Sequence, residues 1–140
     1  MPSEPSTSGL IEVLLVDDHP DVRRLLREMI ETYEDLIIVG EAVNGEDAVL
    51  LASTLKPAVV VMDVHLPVLS GVAAASLIKT HHPCIAIIAL TAGDPRDEEK
   101  AMTIAGAASV INKAEVLHAL HPAIVDAVKP VKSWSSSSCS

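Results

Sequence analysis

The sequence predicts an α/β fold: a doubly wound parallel sheet of five strands with helices on both faces. Apolar runs of strand length alternate with segments whose apolar residues recur every three or four positions, which is typical of βαβ units. One run, Ala58 to Met62, is apolar throughout, as expected of a central strand buried on both faces. A length of 140 residues with 49% hydrophobic residues suits one domain with a single core.

The strands are predicted at short runs of mainly Val, Ile, Leu and Ala. The chain has no Phe and an aromatic content of only 1%, so these aliphatic residues must form the core. Such runs suit a sheet that is covered on both faces. In chain order, the predicted strands are Ile11 to Val16, Leu36 to Val39, Ala58 to Met62, Ile85 to Leu90 and Ala108 to Ile111.

Helical periodicity and end signals predict the first three helices. Asp21 to Glu31 carries one apolar stripe at spacings of three and four residues. Asn44, followed three residues later by an acid, caps a second helix that ends near Leu55. A third helix is predicted at Gly71 to Thr80.

The last two helices have less regular signals. Asp94 can cap the fourth helix, Pro95 suits its first position, and Gly106 ends it. In the last helix, Pro122 interrupts the apolar series from Leu117 to Val128, and a proline in a helix interior costs about 3 kcal/mol. We expect Pro122 to kink this helix, and a split into two short helices is the alternative.

Residues 10–128 are predicted to form the domain. Residues 1–9 are polar, and residues 129–140 are a serine-rich tail or truncated linker, so both are expected to be flexible. No apolar stretch resembles a membrane span or a signal peptide, which predicts a cytoplasmic protein. The net charge of −9 argues against direct binding of nucleic acid, which needs clustered Lys and Arg.

Polar residues that could handle a phosphoryl group follow four of the five strands. Asp17 and Asp18 follow the first strand, Asp63 the third and Thr91 the fourth, and Lys113 comes just after the fifth. The carboxyl ends of parallel strands meet at one edge of the sheet, where ligands bind. Singly, each residue has an ordinary explanation as a turn, cap or solvated side chain. Their joint placement is what predicts one site.

The residue types in this set suit phosphoryl transfer with a metal ion. Carboxylates about 4 Å apart repel each other by roughly 4 kcal/mol at an effective dielectric constant of 20, which a cation would relieve. An acidic oxygen cluster without Cys ligands favours Mg²⁺ or Mn²⁺ over Zn²⁺. Asp63 is the predicted nucleophile and would form an acyl phosphate. Thr91 and Lys113 would contact the phosphoryl oxygens.

The six histidines are expected to be mainly solvated side chains rather than ligands. His65 is the exception. It comes two residues after Asp63, and its side chain could control the access of water to an acyl phosphate.

Several segments resemble the receiver domain of two-component response regulators. The resemblance covers about residues 9 to 128, and it is strongest to receivers that usually precede a helix-turn-helix output domain. The matching segments are Leu14-Leu15-Val16-Asp17-Asp18-His19-Pro20, Val39-Gly40-Glu41-Ala42, Val61-Met62-Asp63, Leu66-Pro67 with Gly71, Ala89-Leu90-Thr91-Ala92, Ala105-Gly106-Ala107-Ala108 and Asn112-Lys113.

The resemblance implies a flavodoxin-like sheet with strand order 2-1-3-4-5 and phosphorylation of Asp63 by a histidine kinase or a phosphotransfer protein. It implies that Asp18, Asp63 and the backbone carbonyl of His65 bind Mg²⁺ directly, and that Asp17 acts mainly through water. Thr91 and Lys113 would detect the phosphoryl group and change partner binding. The chain would then be a signalling domain and not an enzyme, apart from its own phosphorylation and dephosphorylation.

Three departures from that family bear on the output. Val110 stands where an aromatic residue usually comes three positions before the lysine, and Ala114 stands where Pro, Asp or Glu is usual. The sequence also shows no DNA-binding domain after the receiver. We therefore expect either an unidentified output partner or a C-terminal output domain outside this sequence, and a homodimer stays open.

Two functions of other classes also stay open. One is a binding module of receiver fold that acts without phosphorylation, which Val110 and Ala114 favour. The other is a phosphatase with an aspartate nucleophile. Such enzymes usually carry Asp-x-Asp at the first strand end, whereas here Asp17 and Asp18 are adjacent and Asp63-Val64-His65 lacks a second acid.

Overall fold

A computed structural model describes residues 9–92 and 96–128, which form a five-stranded parallel sheet with helices on both faces. The strand order is β2-β1-β3-β4-β5, which confirms the predicted fold class. The strands are β1 (Ile11–Val16), β2 (Leu36–Ala42), β3 (Val59–Asp63), β4 (Ala86–Thr91) and β5 (Ser109–Asn112).

Five α-helices in the described residues connect and follow these strands. They are α1 (Pro20–Glu31), α2 (Gly45–Leu55), α3 (Gly71–His81), α4 (Arg96–Ala105) and α5 (Val116–Val128), with a 3₁₀ turn at Lys113–Glu115. None of the described helices has the length and apolar character needed to cross a membrane.

The local signals that predicted the helix ends operate largely as expected. The side chain of Asn44 accepts a hydrogen bond from the Asp47 N–H at 2.7 Å and caps α2. Gly106 follows α4 with φ of 112°, a conformation that glycine adopts readily. The predicted cap Asp94 and its neighbour Pro95 lie outside the described residues.

The sheet separates two apolar cores. Alternate residues of each strand point to opposite faces, so Val60 and Met62 of β3 join the core under α2, α3 and α4, whereas Val59 and Val61 join the core under α1 and α5. All five residues of β3 are buried, which confirms that this strand is central.

β2 is longer than predicted because its pairing with β1 continues past an irregularity. Val13 pairs with Ile38 and Leu14 pairs with Gly40, so Val39 is an extra residue in β2. Gly40 and Glu41 hid this extension in the sequence, because neither residue continues an apolar run.

The structure rules out one of the two interpretations of the last helix and corrects the position of one leucine. α5 is one helix that contains Pro122, so the alternative of two short helices is wrong. Leu120 and Ile124 are buried as predicted, but Leu117 is 68% exposed. Leu117 and the exposed Leu25 instead line an apolar cleft between α5 and α1.

The loop between β3 and α3 contains a tight three-residue turn. The Leu69 N–H donates to the Pro67 carbonyl at 2.7 Å, and the intervening Val68 has φ of 69°. This left-handed conformation is unfavourable for a β-branched residue. Gly45 permits the close approach of the loop, because a Cβ atom there would collide with the Leu69 carbonyl.

Replacing Val68 by Asn should stabilise the protein, because Asn tolerates positive φ better than Val does. We expect the free energy of unfolding to rise by about 1 kcal/mol, measured by urea denaturation. The matched control is Val43→Asn, at an exposed valine outside the left-handed region. Equal effects of the two substitutions would contradict strain at Val68.

Candidate functional site

The polar residues predicted from the strand ends meet at the carboxyl edge of the sheet. Asp17 follows β1, Asp63 ends β3, Thr91 ends β4, and Lys113 follows β5. The Lys113 Nζ donates to Asp63 Oδ2 at 2.8 Å and lies 3.2 Å from Asp17 Oδ2. Asp63 and Asp17 come 50 and 96 positions before Lys113 in the sequence, and both carboxylates lie next to its ammonium group.

The Asp63 carboxylate is buried and held at both oxygens. Oδ1 accepts a hydrogen bond from the His65 N–H at 3.0 Å, and Oδ2 accepts one from Lys113. Only 4% of the residue is exposed. The carboxylate therefore has a fixed orientation at the end of the central strand.

Three carboxylates form an acidic pocket at this edge. One oxygen from each of Asp17, Asp18 and Asp63 lies within 4.8 Å of the others, and a ring nitrogen of His19 belongs to the same group. Asp18 Oδ1 is buried and accepts no hydrogen bond among the described residues, and the buried Asp17 Oδ2 has the Lys113 ammonium 3.2 Å away but outside hydrogen-bond geometry. Buried acceptors without donors are costly, and carboxylate oxygens are the ligands that Mg²⁺ prefers. The residues present therefore fit a Mg²⁺ ion.

Lys113 is charged within this pocket. Burial alone would lower the pKa of its ammonium group, but the hydrogen bond and negative charge of Asp63, together with Asp17, outweigh burial and raise the pKa above its usual value of 10.5. The ammonium group therefore partly neutralises two buried carboxylates.

Thr91 supplies a free hydroxyl at the end of β4. The residue is fully buried, and its Oγ1 has no hydrogen-bond partner among the described residues. An unpaired buried hydroxyl costs about 1 to 3 kcal/mol. It can donate to an acceptor that enters the site.

Two arginines of α1 form hydrogen bonds with residues next to the acidic pocket. Arg23 Nη1 donates to the Asp17 carbonyl at 2.8 Å, and Arg23 Nε donates to Glu41 Oε1 at 2.9 Å. Arg27 Nη1 donates to the other oxygen of Glu41 at 3.1 Å. The ends of β1 and β2 are thereby fixed to α1. Our sequence reasoning did not identify this support, although the spacing of Arg23 and Arg27 was a signal that they share one helix face.

Sequence reasoning also missed contacts of two histidines. The sequence predicts a solvated His19, whose Nδ1 in the structure lies 3.2 Å from Asp18 Oδ1. The imidazole Nε2 of His65 contacts the carboxylate of Glu98 of α4. No spacing signal in the sequence connects residue 65 with residue 98. The assignment of the His65 carbonyl as a metal ligand stays a prediction.

The two unusual residues after β4 occupy ordinary positions. Val110 is half-buried in β5 and packs against the core under α2, α3 and α4. Ala114 is exposed in the 3₁₀ turn, where its N–H donates to the Asn112 side chain at 2.8 Å. Val110 fills its place in the core without an aromatic ring.

Comparison with known proteins points to one family. The sequence profile described as "Response regulator receiver domain" matches residues 13–125. The response regulator GacA of Pseudomonas protegens is 36% identical over 115 residues, which make up 82% of this chain and 54% of GacA. The chain thus spans about half the length of this relative.

Solved structures show the same similarity. The response regulator domain of Thermotoga maritima CheB aligns with a TM-score of 0.81 and 28% identity, over 88% of this chain and 99% of that chain. A second match comes from a co-crystal structure of the Saccharomyces cerevisiae histidine phosphotransfer protein Ypd1 with the receiver domain of its downstream response regulator Ssk1. It has a TM-score of 0.75 and 26% identity, over 84% of this chain and 88% of that chain.

Removing the Lys113 charge should destabilise the protein in a pH-dependent way. At about pH 7, Lys113→Met should lower the free energy of unfolding by about 2 kcal/mol, because two buried carboxylates lose a partly buried counter-ion. The Lys113 pKa is raised by folding. Its contribution is therefore complete below pH 10.5 and is lost as the pH rises through the raised pKa. Urea denaturation from about pH 7 to about pH 11, with EDTA present, measures this loss.

Lys79 provides a control, because its contribution to stability should change with pH in the opposite direction. Burial lowers the pKa of Lys79, so folding disfavours its charged form. Relative to Lys79→Met, the wild type should gain stability as the pH rises through this lowered pKa towards 10.5. Parallel pH profiles for Lys113→Met and Lys79→Met would contradict our account of the Lys113 charge.

Proposed function

Because the chain belongs to the receiver domain family of response regulators, we propose that it accepts a phosphoryl group on Asp63 in a Mg²⁺-dependent reaction. The donor is a histidine kinase or a histidine-containing phosphotransfer protein. Phosphorylation then changes the binding of an output partner. The similarity to the Ssk1 receiver, which was crystallised with a phosphotransfer protein, supports this class of donor.

The ion pair of Lys113 with Asp63 is the observation that carries this proposal. It places a positive charge 2.8 Å from the carboxylate that would attack phosphorus. Phosphoryl transfer depends mainly on positioning and on neutralising the oxygens of the transferred group. Lys113 and the unpaired hydroxyl of Thr91 supply both at one place.

The reaction can be written with these residues. A carboxylate oxygen of Asp63 attacks the phosphorus of a phosphohistidine and forms a P–O bond as the P–N bond breaks. The imidazole leaves with the electron pair of that bond and takes up a proton from water. Lys113 stays protonated and binds the phosphoryl oxygens, and Thr91 donates its hydroxyl hydrogen to one of them. A Mg²⁺ ion held by Asp17, Asp18 and Asp63 would offset the remaining negative charge.

The site lies within a domain that we place at residues 10–128 of a cytoplasmic protein, and residues 1–8 and 129–140 lie outside the described part of the chain. The matched residues make up only 54% of GacA, so an output domain attached to the receiver or a separate output partner would act on the signal. The receiver then works as a switch, and its chemistry is limited to its own phosphorylation and dephosphorylation.

A binding module that acts without phosphorylation is the second candidate. The observation that favours it is Val110, which is half-buried in β5 where an aromatic side chain that changes position on phosphorylation would otherwise stand. Against it, the acidic pocket, Thr91 and Lys113 are assembled in full at the carboxyl edge.

Phosphorylation can be tested by intact mass. Incubation of the chain with Mg²⁺ and a small acyl phosphate or phosphoramidate should add the mass of one phosphoryl group to the wild type. Asp63→Asn, which keeps the size of the side chain but removes the nucleophile, should take up none. The control is Asp97→Asn, at an exposed acid in the first turn of α4. A wild type that takes up no phosphoryl group from a small donor or from a kinase would overturn the proposal in favour of the binding module.

Thr91→Val should have different effects on the stability of the unphosphorylated and the phosphorylated protein. Removing a buried unpaired hydroxyl should raise the free energy of unfolding of the unphosphorylated protein by about 1 kcal/mol. The same substitution should reduce the extra stability that phosphorylation gives, because the phosphoryl group loses a donor.

Thermal unfolding before and after phosphorylation measures both effects. The control is Thr54→Val, at an exposed threonine whose hydroxyl donates to the Leu50 carbonyl at 3.0 Å within α2. If Thr91→Val stabilises the unphosphorylated and the phosphorylated protein equally, Thr91 does not contact the phosphoryl group.

A further inference from the structure

A histidine stands at the mouth of the acidic pocket. The His19 Nδ1 lies 3.2 Å from Asp18 Oδ1 and 3.4 Å from Asp17 Oδ1. The side chain is 64% exposed, so packing does not explain its direction. Its backbone is fixed, because the His19 N–H donates to Asp17 Oδ1 at 2.8 Å.

These separations are the ones expected between neighbouring ligands of a single metal ion. With bonds of about 2.1 Å to nitrogen and oxygen, adjacent ligand atoms are about 3.0 Å apart in an octahedral shell and about 3.4 Å apart in a tetrahedral one. The spacing of His19 Nδ1 and Asp18 Oδ1, which accepts no hydrogen bond among the described residues, therefore suits two ligands of one ion.

We propose that His19 is a ligand of this pocket and that its nitrogen lets the pocket bind Zn²⁺ or Co²⁺ more tightly than Mg²⁺. Imidazole nitrogen suits Zn²⁺ and other late transition metals, whereas Mg²⁺ prefers oxygen. The oxygen cluster expected from the sequence is thus a mixed nitrogen and oxygen site. The proposal uses the cation pocket of the proposed phosphorylation site, but it does not require that Asp63 be phosphorylated.

Other histidines are engaged elsewhere. The imidazole of His65 is paired with Glu98, and that of His121 contacts both carboxylate oxygens of Asp35 at 3.0 and 3.1 Å. Within residues 9–92 and 96–128, the group at Asp17, Asp18, His19 and Asp63 is the one place where three or more such ligands converge. Mg²⁺ and a transition metal therefore compete for the same carboxylates.

Metal titrations of the full chain test the role of His19. Metal-free wild type, His19→Asn and the control His118→Asn, at an exposed histidine of α5, are titrated with Co²⁺, Zn²⁺ and Mg²⁺. Calorimetry gives the affinities, and visible absorption of Co²⁺ reports nitrogen ligation. Loss of His19 should weaken Co²⁺ and Zn²⁺ binding by about tenfold or more. It should change Mg²⁺ affinity by less than about twofold, and His118→Asn should match the wild type.

Two results would overturn the proposal. One is equal Zn²⁺ affinity of the wild type and His19→Asn. The other is an equal loss of Zn²⁺ and Mg²⁺ binding in His19→Asn, which would show that His19 shapes the pocket without ligating. Uptake of a phosphoryl group in Mg²⁺ is measured on the same samples. Binding of Co²⁺ that depends on His19, in a chain that takes no phosphoryl group, would defeat the proposed function and leave the metal site standing.

Discussion

The contact of one ammonium group with two buried carboxylates is the interaction on which the carboxyl edge of this sheet depends. Asp17 follows β1 and Asp63 ends the neighbouring strand β3, and an oxygen of each comes within 4.8 Å of the other. Carboxylates at about 4 Å repel by roughly 4 kcal/mol at an effective dielectric constant of 20. Lys113 offsets this repulsion, and it arrives from beyond β5, two strands away from β3. The burial of the acids at the ends of the first and third strands therefore depends on a residue that follows the last strand.

Further charged and polar groups contact Asp17 and Asp63 from the neighbouring helices and loops. Arg23 holds the Asp17 carbonyl and also pairs with Glu41, so that positive and negative groups alternate from the pocket to the surface of α1. The His65 N–H orients Asp63, and the His65 imidazole reaches Glu98 on α4. Elements on both sides of the sheet are thus connected to the same few carboxylates.

Prediction from sequence succeeded where the signal is local. The apolar run of β3, the cap at Asn44 and the left-handed Gly106 each depend on a few neighbouring residues, and the polar residues at the strand ends meet because parallel strands share an edge. It failed where tertiary placement decides. Leu117 fits the helical series but faces a cleft, and β2 continues through Gly40 because β1 pairs with it. The position of the His19 imidazole beside Asp17 and Asp18 depends on side-chain geometry that no spacing rule contains.

The separation of the two cores has a consequence for what a group on Asp63 would touch. Strand alternation places Asp17 and Asp63 on the same side as Val13, Leu15, Val59 and Val61, towards α1 and α5, whereas Thr91 has the parity of Ile87 and Ala89, towards α4. The sheet keeps these sides apart along the length of each strand. A phosphoryl group bonded to Asp63 and hydrogen-bonded to Thr91 would form a bridge across the sheet plane, joining two halves of the interior at the one edge where no strand lies between them.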